Sequence, residues 1–169
     1  MTFLAPLRSL FETVHNWPSS IAIRESVNGY PTLLTTHVIS MCLFAGLVMM
    51  MDLRLVGVGN LRTTFSQVQK RLFPWQMAGL AVSSISGLIL VYGEPLRFYG
   101  NIFFWMKTAM MALAGVNAVA FHLITYRSVA AWDASAATPF GARLAGGLSL
   151  FLWAGVIITG RLIPYNWFQ

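Results

Sequence analysis

The chain has 169 residues, of which 57% are hydrophobic and 9% charged, and its formal net charge is +6. Soluble domains carry about 25% charged residues, so this composition excludes a water-soluble globular domain and predicts an integral membrane protein. The cations lie along the edges of apolar segments, where they suit anionic lipid headgroups. No basic stripe with interleaved aromatic residues is present, so nucleic acid is not an expected partner.

The N-terminal segment, residues 1–30, differs in kind from the rest of the chain. Apolar side chains recur there at helical spacing, with Arg8, Glu12 and His15 among them. This pattern is typical of an amphipathic helix that lies in the membrane interface. Pro18 disfavours helix at the residue before it and should interrupt the segment, and a second short helix can follow over residues 19–27.

Four apolar windows follow within residues 31–169, and each is long enough to cross a hydrocarbon core, which takes about 20 residues. They run over approximately residues 32–51, 74–92, 102–126 and 142–163. Lipid offers no partner to a free backbone group, so each window must be helical. The predicted fold is therefore an all-α integral membrane four-helix bundle, preceded by an interfacial amphipathic helix.

The distribution of Lys and Arg predicts the orientation in the membrane. The connection between the first two windows carries Arg54, Arg62, Lys70 and Arg71. Cytoplasmic loops are enriched in cations, and early loops usually dominate. We therefore expect a multi-pass membrane protein with both termini on the outer, periplasmic side.

Ionisable side chains at membrane depth are expensive and mark candidate functional sites. His37 begins an apolar run of the first window. A buried neutral imidazole can ligate a haem iron, bond a quinone carbonyl, or simply satisfy a hydrogen bond. In the third window, Lys107 and His122 share one face with the small residues Ala114 and Ala118. Such a face can receive a flat ligand or a neighbouring helix.

One haem b held by both His37 and His122 is excluded by depth. The first and third windows run in the same direction, and the two histidines lie about 5 and about 20 residues into them, a difference of roughly 20 Å. His15 and His37 could instead ligate one haem, with Lys107 or Arg161 facing the propionates. Alternatively, His122 could pair with a thioether of the residue 49–51 methionine run, or a second chain could supply the missing ligand.

Three polar residues of the windows have other predicted roles. Asp52 and Arg54 close the first window, where they can mark the headgroup boundary or handle protons at a quinone site. Asn117 is expected to hydrogen-bond to another helix. Cys42 is the only cysteine of the sequence, so a disulfide, a covalent haem attachment and a thiolate metal cluster within one chain are all excluded.

The segments WPSSIAIRES, YPTLLTTHV, DLRLVG, FWMKTAMMALAGVNAVAFH and GRLIPY resemble, in this order, a bacterial family of small four-helix inner-membrane proteins, a domain of unknown function. The resemblance implies that motif positions of that family are occupied here by His37, Asp52, Arg54, Lys107, Asn117, His122 and Arg161. It implies no activity. More loosely, the layout is similar to the four-helix cytochrome b561 and copper-resistance membrane families, whose paired histidines at matched depths this chain lacks.

Two functions remain open from the sequence. The first is a redox subunit that binds haem b or a quinone through His37 and His122 and passes electrons between a partner enzyme and the quinone pool, without being a stand-alone enzyme. The second is a non-catalytic accessory or assembly subunit of a larger membrane complex. The expected partners are membrane lipids and either other membrane subunits or further copies of the chain. A transporter is disfavoured because the sequence shows no inverted repeat.

Overall fold

The computed structural model describes residues 5–58, 63–133 and 138–165. Over these ranges the regular structure is entirely helical, and four helices are long and apolar enough to span a membrane. Short helices precede them at the N-terminus, so the predicted fold class is confirmed. Arg62, one of the cations behind the predicted orientation, and residues 1–4 of the N-terminal segment lie outside the described residues.

The helices follow one another with short connections. Two N-terminal helices, α1 (Ala5–His15) and α2 (Pro18–Glu25), precede the long α3 (Gly29–Val56) and α4 (Phe65–Gly93). The short α5 (Pro95–Tyr99) leads to α6 (Ile102–Ala120), which continues through a π-helical turn (Phe121–Thr125) and a 3-10 turn (Tyr126–Ser128) into α7 (Val129–Trp132). The last helix, α8 (Phe140–Leu162), ends in a 3-10 turn (Ile163–Tyr165).

The long helices extend beyond the apolar windows predicted from the sequence, most of all at the start of α4. This helix begins at Phe65, nine residues before the predicted window (74 − 65), and the side chain of Thr64 caps it by accepting a hydrogen bond from the Gln67 amide. Lys70 interrupts the run of apolar residues, but a charge does not end a helix. Pro74 therefore lies inside α4 rather than at its start.

The four long helices do not form a closed ring. Helix α3 packs against α4 and α8, and α8 packs against α6, whereas α4 and α6 are not in extensive contact. Glycines permit the tight α3 contacts: the α-carbon of Gly79 faces the backbone of Ser40 and Phe44, and that of Gly146 faces Asp52 and Leu55. Three sides of the bundle are therefore closely packed, and the fourth side is open.

An aromatic cluster closes the bundle near Asp52, at what is here called the Asp52 end. Phe65 is 1% exposed, and its ring centroid lies 5.8 Å from those of Phe121 and Trp132 and 6.3 Å from that of Tyr126. These rings join the beginning of α4 to the segment that follows α6. These ring contacts hold α4 and the segment after α6 together at the Asp52 end.

The N-terminal helices pack at the opposite, His37 end. The Ser20 hydroxyl donates to the Tyr92 carbonyl (2.9 Å), and the Arg24 guanidinium donates to the Gly93 carbonyl (3.3 Å). Both carbonyls belong to the last turn of α4, whose C-terminal acceptors lack partners within the helix. Helix α2 thus caps α4, while the Phe11 ring of α1 lies 5.5 Å from the ring of Tyr99.

Replacing Gly146 with alanine is expected to separate α3 from α8. A Cβ atom at this position would lie 2.9 Å from the Cβ of Leu55 and 3.0 Å from the backbone oxygen of Asp52, neither of which can rotate away. We expect a loss of about 1–3 kcal/mol of stability, as for other overpacked sites. Gly147→Ala is the matched control, because nothing lies within 4 Å of the added methyl. Thermal unfolding in detergent measures both, and equal melting temperatures would contradict the close approach.

Candidate functional site

A cleft of about 470 Å³ opens between α4 and α6, with α3 and α8 as its floor. Its lining is largely apolar and aromatic, and polar side chains lie within it. The apolar lining includes Phe44, Met51, Phe65, Phe73, Met77, Met111, Phe121 and Trp153, and the polar lining includes Asp52, Gln69, Gln76, Ser84, Asn117, His122 and Ser149. Volumes of this order hold small-molecule ligands.

Helical periodicity brings the lining residues to one face of each helix. On α3 they occur at positions 44, 48, 51, 52 and 55, and on α4 at positions 69, 73, 76, 77, 80 and 84. Side chains three, four and seven residues apart share a face of an α-helix. The cleft therefore exists because α4 and α6 are separated, and the residues on the inward faces of α3 and α4 determine its lining.

Asp52 is the buried ionisable group of the cleft. The residue is 6% exposed, and its Oδ2 atom has no hydrogen-bond partner. Within the described part of the chain, no Lys or Arg forms a salt bridge with it. A buried polar atom without a partner is uncommon and costly, so the Oδ2 atom is an open acceptor position of the site.

A second open acceptor belongs to Gln69. The Nδ1 atom of His122 lies 2.9 Å from the Ala118 carbonyl, and its Nε2 atom lies 3.4 Å from the amide nitrogen of Gln69. The buried Oε1 atom of Gln69 has no partner. His122 thus lies at the edge of the cleft, on the π-helical turn that follows α6, and such turns occur frequently at functional sites.

Two other amides of the cleft bond within the protein. The side-chain nitrogen of Asn117 donates to the Ala145 carbonyl of α8 at 2.9 Å, so this residue bonds to another helix. The side-chain nitrogen of Gln76 donates to the sulfur of Met51 at 2.9 Å. These contacts fasten α4 and α6 to the floor of the cleft.

His37 and Lys107 meet elsewhere, toward the opposite end of the bundle. The Nδ1 atom of His37 donates to the Ser83 carbonyl (2.9 Å), which leaves its Nε2 atom as an acceptor 3.5 Å from the Lys107 ammonium. Gly87 makes room for the imidazole, because a Cβ atom there would lie 2.9 Å from it, whereas a Cβ atom on Gly160 would lie 3.5 Å from the ammonium, an ordinary contact distance. Both ring nitrogens of His37 are therefore engaged inside the bundle.

The remaining predicted site residues do not converge on His37 or on the cleft. The Nδ1 atom of His15 lies 3.0 Å from the Arg24 guanidinium, and the Arg161 guanidinium stacks 5.5 Å from the ring centroid of Tyr165. Arg54 is 2% exposed and donates from Nε to the Thr63 carbonyl at 3.2 Å. Arg54 therefore contacts Thr63, beyond the end of α3, rather than the carboxylate of Asp52.

Comparison with known proteins places the whole four-helix region in one family. The model of a family of unknown function (DUF6644) matches residues 27–166. The chain belongs to this family. No curated protein and no solved structure matches it. The range matched by DUF6644 contains all four long helices and hence every residue that lines the cleft.

The histidines of this DUF6644 chain do not fit one haem ligated by two of them. His37 contacts Ser83 of α4, and His122 contacts Gln69 of the same helix. The 14 positions between these two contacts (83 − 69) correspond to about 21 Å along α4. The Nε2 atom of His37 faces Lys107, and the sulfur of Met51 already accepts from Gln76. Within the described ranges, no three His, Cys, Asp or Glu side chains could together hold a metal ion.

Three polar residues of the cleft escaped the sequence-based reasoning. A second window that starts at Pro74 places Gln69 in the loop before it. Gln76 and Ser149 lie inside apolar windows, where a polar side chain at membrane depth is itself a signal. The π-helical turn that positions His122 has no recognisable sequence pattern.

Proposed function

We propose that this protein is a membrane subunit that binds a quinone-type electron carrier in the cleft between α4 and α6. It passes electrons between a partner enzyme and the quinone pool. The observation that carries the proposal is a cleft between two membrane-spanning helices, with aromatic and aliphatic walls and the open acceptor atom of Asp52 within it. Ligand sites combine apolar walls with a few polar groups that fix orientation in this way.

The two kinds of lining match the two parts of such a carrier. Phe44 and Trp153, whose rings pack edge to face with centroids 4.9 Å apart, offer aromatic surface to a planar ring. Asp52 and Gln69 offer acceptors to the ring oxygens. The opening between α4 and α6 gives a hydrocarbon tail a path to lipid.

The chemistry of the carrier assigns a role to Asp52. Oxidation of a quinol releases two electrons and two protons. The electrons go one at a time to a haem or an iron–sulfur cluster of the partner enzyme, which passes the first electron on before it accepts the second. The Asp52 carboxylate takes one proton and water at the Asp52 end takes the other, and reduction of the quinone runs the same transfers in reverse.

The proposal also includes the location and partners of the protein. The location that we propose is the bacterial inner membrane. The Lys and Arg distribution supports an orientation with both termini periplasmic and the Asp52 end facing the cytoplasm. The partner would be another membrane subunit that carries the redox centre, or a complex containing further copies of this chain. Lipids cover the remaining apolar exterior.

The direct test is the recovery of a carrier with the purified protein. We expect organic extraction of protein isolated in mild detergent to yield a quinone in an amount equimolar with the chain, measured by chromatography with ultraviolet detection. Added decylubiquinone should quench tryptophan fluorescence saturably, and Trp153→Phe should remove most of that quenching. Absence of both the co-purified quinone and saturable quenching would refute carrier binding.

An accessory role is the second candidate, supported by the contacts of His37. Its ring bonds to Ser83 of α4 and faces Lys107 of α6, so it joins three helices of the bundle. In this case His37→Ala would loosen the association with partner subunits, as seen on native gels, without altering carrier binding. If His37→Ala leaves co-migrating partners unchanged, this alternative fails.

A further inference from the structure

We propose that the cleft binds the reduced, quinol form of the carrier more tightly than the oxidised form. The reason is that its open polar atoms are hydrogen-bond acceptors. A quinol has two hydroxyl donors, whereas a quinone has only carbonyl acceptors. This inference rests on the proposed function and adds to it the redox state of the ligand that the site selects.

The first acceptor is fixed by a short relay of hydrogen bonds. Because the Ala118 carbonyl can only accept, the Nδ1 atom of His122 carries the proton of the neutral ring. The Nε2 atom must then accept, so the group of Gln69 that faces it at 3.4 Å is the NH₂ donor. The opposite atom of the amide, Oε1, is thereby left as a buried acceptor without a partner.

The second acceptor is the Oδ2 atom of Asp52. This atom is buried and has no hydrogen-bond partner. The nearest guanidinium in sequence, that of Arg54, donates to the Thr63 carbonyl instead. A hydroxyl donor from the ligand would satisfy Oδ2, while a carbonyl oxygen would leave it unpaired and add repulsion between lone pairs.

The side-chain amides of the cleft also carry donors, but each amide already donates one hydrogen bond within the protein. These donors therefore do not reverse the preference for the quinol. Asn117 donates to Ala145, Gln76 donates to Met51, and Gln69 donates to His122. A quinone would therefore find partly used donors, and two open acceptors would oppose it. A quinol pairs with the open acceptors directly.

Three ligands of one shape test the inference: decylubiquinone, its quinol kept reduced under argon, and the dimethyl ether of that quinol, which lacks the hydroxyl donors. We expect the quinol to bind at least about tenfold more tightly than either of the others, which is the size of effect expected when a buried acceptor gains or lacks a hydrogen bond. Tenfold preference for the reduced form raises the midpoint potential of the bound couple by about 30 mV. Quenching titrations and a redox titration measure the two effects.

Variants test whether the preference for the quinol depends on the acceptor atoms of Asp52 and Gln69. Asp52→Asn replaces an acceptor with a donor of the same size and should reduce the quinol preference to less than about threefold. If that variant does not fold, Gln69→Met, which removes the other acceptor, serves the same purpose. Gln67→Met is the control, because Gln67 lies two positions from Gln69 on α4, is exposed and does not line the cleft, and it should keep the wild-type preference.

The possible outcomes separate this inference from the function on which it rests. Binding of none of the three ligands overturns the proposed function. Equal binding of all three, or a preference that survives in both acceptor variants, overturns the selection of the quinol and leaves carrier binding intact. A quinol preference that Asp52→Asn or Gln69→Met removes supports both.

Discussion

Replacing Phe65 with alanine is expected to destabilise the protein by about 3–5 kcal/mol, the usual cost of deleting a large aromatic side chain from a packed interior. Phe65 is 1% exposed and touches the rings of Phe121, Tyr126 and Trp132. Its removal leaves a cavity at the one end where α4 and the segment after α6 are held together. Denaturant unfolding in detergent, followed by near-ultraviolet circular dichroism, measures the loss.

Phe151→Ala provides the matched comparison for this prediction. Phe151 lies on α8 and is 70% exposed in the bundle. Its removal therefore loses contacts with lipid or detergent rather than contacts within the protein. We expect a change within about 0.5 kcal/mol, as at other surface positions. If both variants unfolded at the same denaturant concentration, the aromatic cluster would not be what closes the Asp52 end.

The four spanning helices were predictable because they depend on a local property of the sequence. A run of about 20 apolar residues is needed to cross the hydrocarbon core, and backbone groups in lipid must bond within the segment. The start of α4 was less predictable for a related reason. Lys70 and Arg71 end the apolar window but not the helix, which continues to the cap at Thr64.

The open side of the bundle could not be read from the sequence. An apolar residue has the same identity whether it faces lipid or a neighbouring helix, so windows do not reveal which helices touch. The separation of α4 from α6 depends instead on how closely α3 approaches its neighbours at Gly79 and Gly146. These glycines show small-residue spacing, but the identity of their partners is a tertiary property.

The candidate site was predictable in part. The sequence leaves two roles open for Asp52, a marker of the headgroup boundary or a proton-handling group, and the structure places the residue in the lining of the cleft with its Oδ2 atom buried and unpaired. His37 and Lys107, which the sequence analysis assigns to the same possible haem site, lie with their side-chain nitrogens 3.5 Å apart. The hydrogen-bonded chain from Ala118 through His122 to Gln69 joins residues 53 positions apart and requires the folded arrangement.

Blocking the cleft is expected to abolish carrier binding while the bundle remains folded. Ala118 lines the cleft from α6, and its side chain is exposed, so Ala118→Trp projects an indole into space that the carrier needs. Its carbonyl, which accepts from His122, belongs to the backbone and is retained. We expect a loss of affinity for decylubiquinol of at least about 100-fold, equivalent to about 2.7 kcal/mol.

Leu113→Trp separates this steric effect from the general effect of adding an indole to α6. Leu113 lies five positions earlier on the same helix, is 56% exposed and does not line the cleft. Competition binding against the wild-type protein, with melting temperatures as a check on folding, should show normal affinity for Leu113→Trp and none for Ala118→Trp. Because both variants place an indole on α6 but on different faces, equal affinities would locate the carrier outside the cleft and would contradict the role assigned to Asp52.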